Sequence, residues 1–395
     1  MSTSVSKSLH DVLARSLSTI PRSGIRDFFD LVSAMDDVIS LGVGEPDFDT
    51  PWHIREATVF ALEKGATSYT SNLGLPRLRH ELSKYVCDTF DITYCPETEI
   101  LVTVGVSEAL DLAIRALVDP GDEVLYHEPC YVSYGPVVTL AHGVPVPVRT
   151  TREQEFRLTR KILEQKVTDR TKVFVLNFPN NPTGAVIMRE DVEDIAAFAI
   201  EHDLIVISDE IYAELTYDGE HVSIASLPGM KDRTIFLHGF SKAWAMTGFR
   251  LGYACAPAVL TDAMMKIHQY TMLCAPSLSQ EAAIEALKQP RVDIGKMRTE
   301  YIKHRNFLFQ SFNEIGVPCH KPRGAFYAFP YIGDFGLPSK DFAVRLLHEQ
   351  RVAVVPGTAF GSCGEGFIRC SYATGLSDLK IAIERIAEFI TTLTS

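Results

Sequence analysis

Residues 172–184 read KVFVLNFPNNPTG. After its lysine the run is continuously apolar and rich in β-branched and aromatic residues, as a strand buried on both faces must be. It ends at Asn177, and two prolines with Gly184 then force a turn. LIVIS (204–208) repeats the pattern and ends in Asp209-Glu210-Ile211-Tyr212. Met188–His202, between them, carries helical spacing. Strand, helix and strand in this order define a parallel βαβ unit.

Working outward, the same alternation continues. Ile100–Val104, Glu123–Tyr126, Val144–Val148, Lys172–Leu176, Leu204–Ser208, Thr234–Leu237 and Leu251–Cys255 are strand candidates. Ser107–Val118, Tyr131–Ala141 and Thr159–Val167 are helix candidates between them. The pattern predicts an α/β fold: a three-layer large domain with a mostly parallel seven-stranded sheet, plus a smaller α+β domain. Near the N-terminus Ser23 is a plausible cap for a helix over Gly24–Met35. Thr50-Pro51 reads as a capped helix start, with Gly65 as its stop. Beyond about residue 256 the pattern turns helical, with a long segment over Val292–Ile315 that could bridge two domains. AFYAF (325–329), AVV (353–355) and FIRCSY (367–372) are strand-like, and a last helix starts near Ser377. These flanks predict an arm and part of the small domain over 1–45, a large domain over 46–290, and the rest of the small domain over 291–395.

Composition narrows the function classes. The chain has 395 residues, 46% of them hydrophobic and 22% charged, so bulk disorder is excluded. A net charge of −12 argues against nucleic acid or an anionic membrane as partner. The eight cysteines are irregularly spaced, without a CxxC pair or clustered histidines, which argues against a disulfide framework and a metal site. Cys255 and Cys370, inside apolar runs, read as buried small hydrophobes. No signal-peptide core and no apolar run of about 20 residues is visible. The expectation is a reduced, cytoplasmic protein.

The chemistry-bearing residues sit where strands end, the edge at which open α/β sheets bind ligands. In VTVGVSEAL (102–110) a strand passes Gly105 straight into a helix, and the free N–H groups there suit a phosphate, though the stretch reads equally as an ordinary βα turn. Asn180 and Asn181 are amide donors in a turn that their residue types would favour anyway. Asp209 is a ligand group or a helix cap; Glu210 reads as exposed and idle. In TIFLHGFSKAWAMTGFRLGYAC (234–255), Lys242 follows Ser241 among apolar neighbours that can desolvate it and make it nucleophilic. Arg250 is a ligand group or a surface cation. Arg369, between Ile368 and Cys370, needs an anionic partner from protein or substrate.

Together, and in this order, these motifs resemble the class I/II aminotransferases, pyridoxal 5′-phosphate enzymes of fold-type I. The likeness runs from LGVGEPDFDTP (41–51) to Arg369 and is sharpest at NPTG (181–184), SDEIY (208–212) and SKAWAMTGFRLG (241–252). The resemblance implies that Lys242 forms a Schiff base with the cofactor and later moves the substrate's Cα proton. It implies that Asp209 pairs with the pyridine nitrogen and that Asn181 and Tyr212 bond the phenolic oxygen. Val106, Ser107, Ser241 and Arg250 would hold the phosphate, and Tyr131 would stack on the ring. Tyr69 would reach the phosphate of a neighbouring subunit, implying a homodimer with shared sites. Arg369 and the backbone at Gly44 would hold the substrate carboxylate. The implied reaction passes an amino group from an L-amino acid to a 2-oxo acid such as 2-oxoglutarate, by ping-pong kinetics. The implied donor is of aspartate, aromatic or N-acyl-diaminopimelate type.

Two departures bear on that carry-over. Many relatives have a serine three residues before the lysine, where this chain has Gly239. One aspartate-specific branch has a lysine where this chain has Ser107; Arg22 and Arg26, or apolar neighbours such as Phe28, could serve the side chain instead. A carbon–sulfur β-lyase or an aminocyclopropane-carboxylate synthase shares the same lysine and aspartate. A regulator's sensor domain would add a basic DNA-binding region, and an NAD enzyme would need a glycine fingerprint that is not found here.

Overall fold

In the computed structural model, residues 12–22, 32 and 35–394 are described. The expected helix over Gly24–Met35, with Ser23 and Arg26, lies mostly outside them. In chain order the elements are β1 (Ile39–Ser40), α1 (Trp52–Glu63), α2 (Pro76–Phe90), β2 (Ile100–Thr103), α3 (Gly105–Leu117), β3 (Glu123–Glu128), α4 (Tyr134–Leu140), β4 (Val144–Arg149), α5 (Arg160–Leu163), β5 (Thr171–Asn177), α6 (Arg189–Glu201), β6 (Ile205–Asp209), β7 (Thr234–Gly239) and β8 (Gly252–Cys255). They continue with α7 (Ala258–Thr271), α8 (Ser277–Lys288), α9 (Val292–Glu314), β9 (Tyr327–Ala328), α10 (Ser339–Gln350), β10 (Val352–Ala353), β11 (Val355–Pro356), β12 (Ile368–Ser371) and α11 (Leu376–Thr394).

Seven strands form one sheet in the order β2-β8-β7-β6-β5-β3-β4. All its pairings are parallel except those of β8, which runs against β2 and β7. Side chains alternate across the pleat. Val173 and Val175 join Ile207, Ile235 and Leu237 in a core under α3, α4 and α7. Phe174, Leu176 and Val206 face the other way, onto Val192, Ile195 and Phe198 of α6. Burial on both sides explains the unbroken apolar runs, each buried Val or Leu adding about 1.5–3 kcal/mol.

The two ends of the chain meet outside this sheet. Ile39 and Ser40 pair in parallel with Val352 and Ala353. A second sheet, β11-β12-β9, is antiparallel. AVV (353–355) is therefore not one strand: Val354 separates two short strands that serve different sheets. A third core gathers Leu41, Tyr301, Phe312, Phe342, Leu346 and Phe389 around these strands. Helix α9 spans 23 residues and reaches back toward the large sheet, where Arg298 donates to Thr216 O and Arg305 pairs with Asp218.

Some local expectations change. Thr50 is no cap: its Oγ1 donates to Ala245 O, and Pro51 holds the cap position before α1 without a side-chain hydrogen bond. The helix expected from Tyr131 starts at Tyr134, which releases Tyr131 to the cavity described below. The one expected over Thr159–Val167 is a single turn.

Candidate active site

A cavity of about 570 Å³ opens where the C-terminal edges of β5 and β6 face the segment 42–45 and β12. Of the residues expected to act, Gly44, Val106, Ser107, Tyr131, Asn181, Asp209, Tyr212, Ser241, Lys242, Arg250 and Arg369 line it. Tyr69 does not; it is 84% exposed on this chain. Arg22 is exposed and does not line the cavity, and Arg26 falls outside the described residues.

One end of the cavity is acidic and deep. Asp209 ends β6, beside Asn177 of β5 in the ladder. It is buried, its Oδ2 accepts from Tyr134 Oη at 2.8 Å, and its Oδ1 accepts from the N–H of Ile211 at 3.3 Å. Burial is the main influence on its carboxyl and pushes it up to about 6, with the Tyr134 bond pulling back. Asn177 Nδ2 donates to Asp209 O at 2.9 Å and ties the two strand ends together.

Glu210, expected to be exposed, is 2% exposed. It turns away from the cavity, its Oε1 accepting from Ser208 and Ser223 and its Oε2 lying 2.6 Å from His221 Nε2. Adjacent carboxylates at a strand end point to opposite faces, so only Asp209 reaches the cavity.

Arg369, on β12 and 2% exposed, also lines the cavity. Its Nη1 donates to Asn181 Oδ1 at 3.0 Å and its Nη2 to Gly42 O at 2.6 Å, while Nε has no partner. The guanidinium lies over the rings of Tyr327 and Phe360. These partners are all neutral, so a buried cation faces the cavity ready for an anion. Tyr327 also bonds Tyr212, oxygen to oxygen, at 2.8 Å.

At a third corner, glycines bring the start of α3, β8 and Arg250 close together. Gly105 opens α3 at φ +73, and a Cβ there would come within 2.9 Å of Arg250 Nη2. Gly252 packs flush on this turn, since its Cβ would sit 2.6 Å from Val106 N. Gly239 closes the same stack, a Cβ there meeting Gly252 Cα and Leu251 O at 3.0 Å. Glycine at 239 thus belongs to a close approach of β7, β8 and α3, with no room for a hydroxymethyl group unless the neighbours shift. The hydroxyls of Ser107 and Ser241 and the Arg250 guanidinium line this corner.

Lys242 lies near enough to all three corners that Arg369, Arg250 and Asp209 each act on its charge. Its Nζ donates to Gly44 O at 2.6 Å. Desolvation first, then Arg369, brings its ammonium down to about 8. An amine so tuned is a competent nucleophile and base near neutral pH.

Sequence reasoning did not single out Glu45, Asn177, Tyr134, Thr247 or Tyr327, which also line the cavity. Asn177 and Tyr327 stood inside quoted stretches, KVFVLNFPNNPTG and AFYAF. Tyr134 follows Tyr131 by three residues and begins α4. Glu45 accepts from Thr247 Oγ1 at 3.0 Å across 202 positions of sequence, a contact that no local pattern announces.

A mostly parallel sheet of this order, with an aspartate at one strand end, a lysine after the next and a buried arginine from the smaller sheet, is the arrangement of fold-type I aminotransferases. The chain belongs to the aminotransferase class I and II family, whose profile matches residues 36–386. It is an enzyme, a transaminase. The YugH protein of Bacillus subtilis is 55% identical over 94% of this chain and 96% of its own. An aspartate aminotransferase of Pyrococcus abyssi is 47% identical over 95% of this chain and 97% of its own. The solved structure of an aromatic aminotransferase from Pyrococcus horikoshii superposes with a TM-score of 0.89 at 47% identity, covering 93% of this chain and 99% of that one.

Proposed function

We propose that the cavity holds pyridoxal 5′-phosphate and carries out amino-group transfer between an L-amino acid and a 2-oxo acid. The observation that carries the reading is Arg369: a buried guanidinium with only neutral partners, lining the same cavity as Lys242 and the glycine-lined start of α3. Two anion sites flank one depressed lysine, which is what a phosphorylated aldehyde and an amino-acid carboxylate require. When bound, the cofactor supplies an electron sink for the carbanion formed at the substrate's Cα.

The chain's own residues divide the remaining work. The N–H groups opening α3, with Ser107, Ser241 and Arg250, bind the phosphate; Val106 supplies backbone there. Asp209 Oδ atoms hold a proton on the pyridine nitrogen, and Tyr134 orients that carboxylate. Asn181 and Tyr212 direct amide and phenol donors at the ring oxygen, and Tyr131 covers the ring. Arg369 and the Gly44 backbone bind the substrate's α-carboxylate. Lys242 Nζ would take the Cα proton and return it to the carbon on the far side of the substrate nitrogen. Tyr69, exposed here, serves the phosphate of a second copy in a homodimer with shared sites. Residues 46–290 act as the cofactor domain, with 1–45 as an arm and part of the small domain and 291–395 as the rest of it. The eight free thiols favour a reducing compartment such as the cytoplasm.

The donor is of aspartate, aromatic or N-acyl-diaminopimelate type and the acceptor is a 2-oxo acid such as 2-oxoglutarate. Among the described lining residues the cations are Lys242, Arg250 and Arg369, each already assigned, while Val43, Leu110 and Ile211 are apolar. This favours an uncharged donor side chain. The test is a panel of amino donors mixed with the loaded enzyme and 2-oxoglutarate, read as glutamate formed. An aromatic donor is expected to lead. Release of pyruvate and thiol from a cysteine conjugate without any acceptor would favour the β-lyase reading instead.

A further inference from the structure

The phosphate cradle is supported from behind by a buried pair that touches nothing in the cavity. Glu108, in the first turn of α3, folds its Oε2 back to accept the N–H of Val104, the residue before Gly105. Its Oε1 lies 2.6 Å from Nδ1 of His268 on α7. A carboxylate here accepts, so Nδ1–H is the donor. The His268 side chain is 0% exposed and the Glu108 side chain 8% exposed. Helix α7 packs along α3, so this bond joins the two helices at the point where the cradle begins.

The other ring nitrogen of His268, Nε2, is buried without a partner. Burying an unpartnered nitrogen is unfavourable, and a leucine of similar size would avoid it. The imidazole's place is therefore explained by Nδ1 and what it holds. Thr103 Oγ1 donates to Gly105 O at 3.0 Å from the other side of the same corner. With Val104 N–H taken by Glu108, the N–H groups that follow are the ones left for an anion, at a backbone geometry fixed by Gly105 at φ +73.

We propose that His268 is a positioning residue for phosphate recognition. It acts through Glu108, which sets the Val104–Gly105 corner and so aims the first N–H groups of α3. The proposal rests on the cofactor reading of the cavity and concerns only its phosphate end.

The test compares two aldehydes, pyridoxal 5′-phosphate and pyridoxal without phosphate, titrated into cofactor-free protein and read by visible absorbance and intrinsic fluorescence. In His268→Leu the preference for the phosphorylated aldehyde is expected to fall about tenfold, the size of one charge-assisted hydrogen bond, with pyridoxal affinity nearly unchanged. His268→Asn, whose amide nitrogen takes the place of Nδ1, should recover most of the preference. Equal weakening for both aldehydes, or no change for either, overturns the proposal, as does failure of His268→Asn to recover more than His268→Leu. Should His268→Leu fail to fold, Glu108→Gln is read in the same way: it keeps the size and one acceptor, and an unchanged preference overturns the proposal. A wild-type protein that binds neither aldehyde would overturn the cofactor reading instead.

Discussion

The two arginines of the cavity are held in opposite ways. Arg369 sits inside a strand, 2% exposed, with its guanidinium fixed by Gly42 O, Asn181 Oδ1 and two aromatic rings. Arg250 sits on a corner at φ +52, exposed, with one bond of 3.3 Å to Thr247 O. A residue buried in a strand is pre-organised and pays its desolvation in folding, so a ligand anion finds a dry, directed fork. A residue on an exposed corner shares its anion with water and with the backbone donors of α3. The first arrangement suits a substrate that must be bound in one orientation at each turnover. The second suits a group that stays in place, where several weak donors suffice.

Lys242 lies between these two ends, and its removal should have the largest effect. Lys242→Ala is expected to cut turnover by about 10⁴-fold or more, measured as oxo acid formed, because no other described lining residue offers an amine at that point. The visible band seen on adding pyridoxal phosphate should vanish as well. Next, Arg369→Ala should raise KM for the amino acid roughly a hundredfold, the cost of truncating a buried charged partner, with little change in cofactor affinity. Arg250→Ala should do the reverse and more weakly, lowering cofactor affinity about tenfold in an equilibrium titration while KM holds. If the two variants lost both affinities alike, the contrast between the ends would collapse. The smallest effect is one of pH. Because burial brings Lys242 down to about 8, its neutral, nucleophilic fraction grows as pH rises and is nearly complete above that value. Capture of pyridoxal phosphate by the cofactor-free protein should therefore accelerate up to about tenfold per pH unit below 8 and level off above it. A rise continuing to pH 10 would mean an ordinary, solvated lysine.

Much of this was legible in the chain. The strands β5 and β6 declare themselves because both faces are buried, and a strand end marks the place where function gathers. What stayed hidden has physical causes. Asp209 and Glu210 are neighbours of the same charge, and only the pleat decides which meets the cavity. AVV (353–355) is too short to reveal that Val354 divides it between two sheets. Helix α2 carries Leu78, Leu82 and Val86 on one buried face, yet its many charges mask that stripe. Gly239 looked like a missing serine; its closeness to Gly252 depends on an antiparallel pairing that the sequence does not state. The bond from Glu45 to Thr247 and the pair of Glu108 with His268 join residues far apart in sequence, and only the fold unites them.

The central claim is that one lysine, set between a phosphate cradle and a buried arginine, holds the cofactor. The most direct measurement is to load the protein with pyridoxal phosphate, reduce it with borohydride, digest it and locate the added mass. The label is expected on Lys242, in stoichiometric amount and abolished by Lys242→Ala. A label on any other lysine, or none at saturating cofactor, would contradict it.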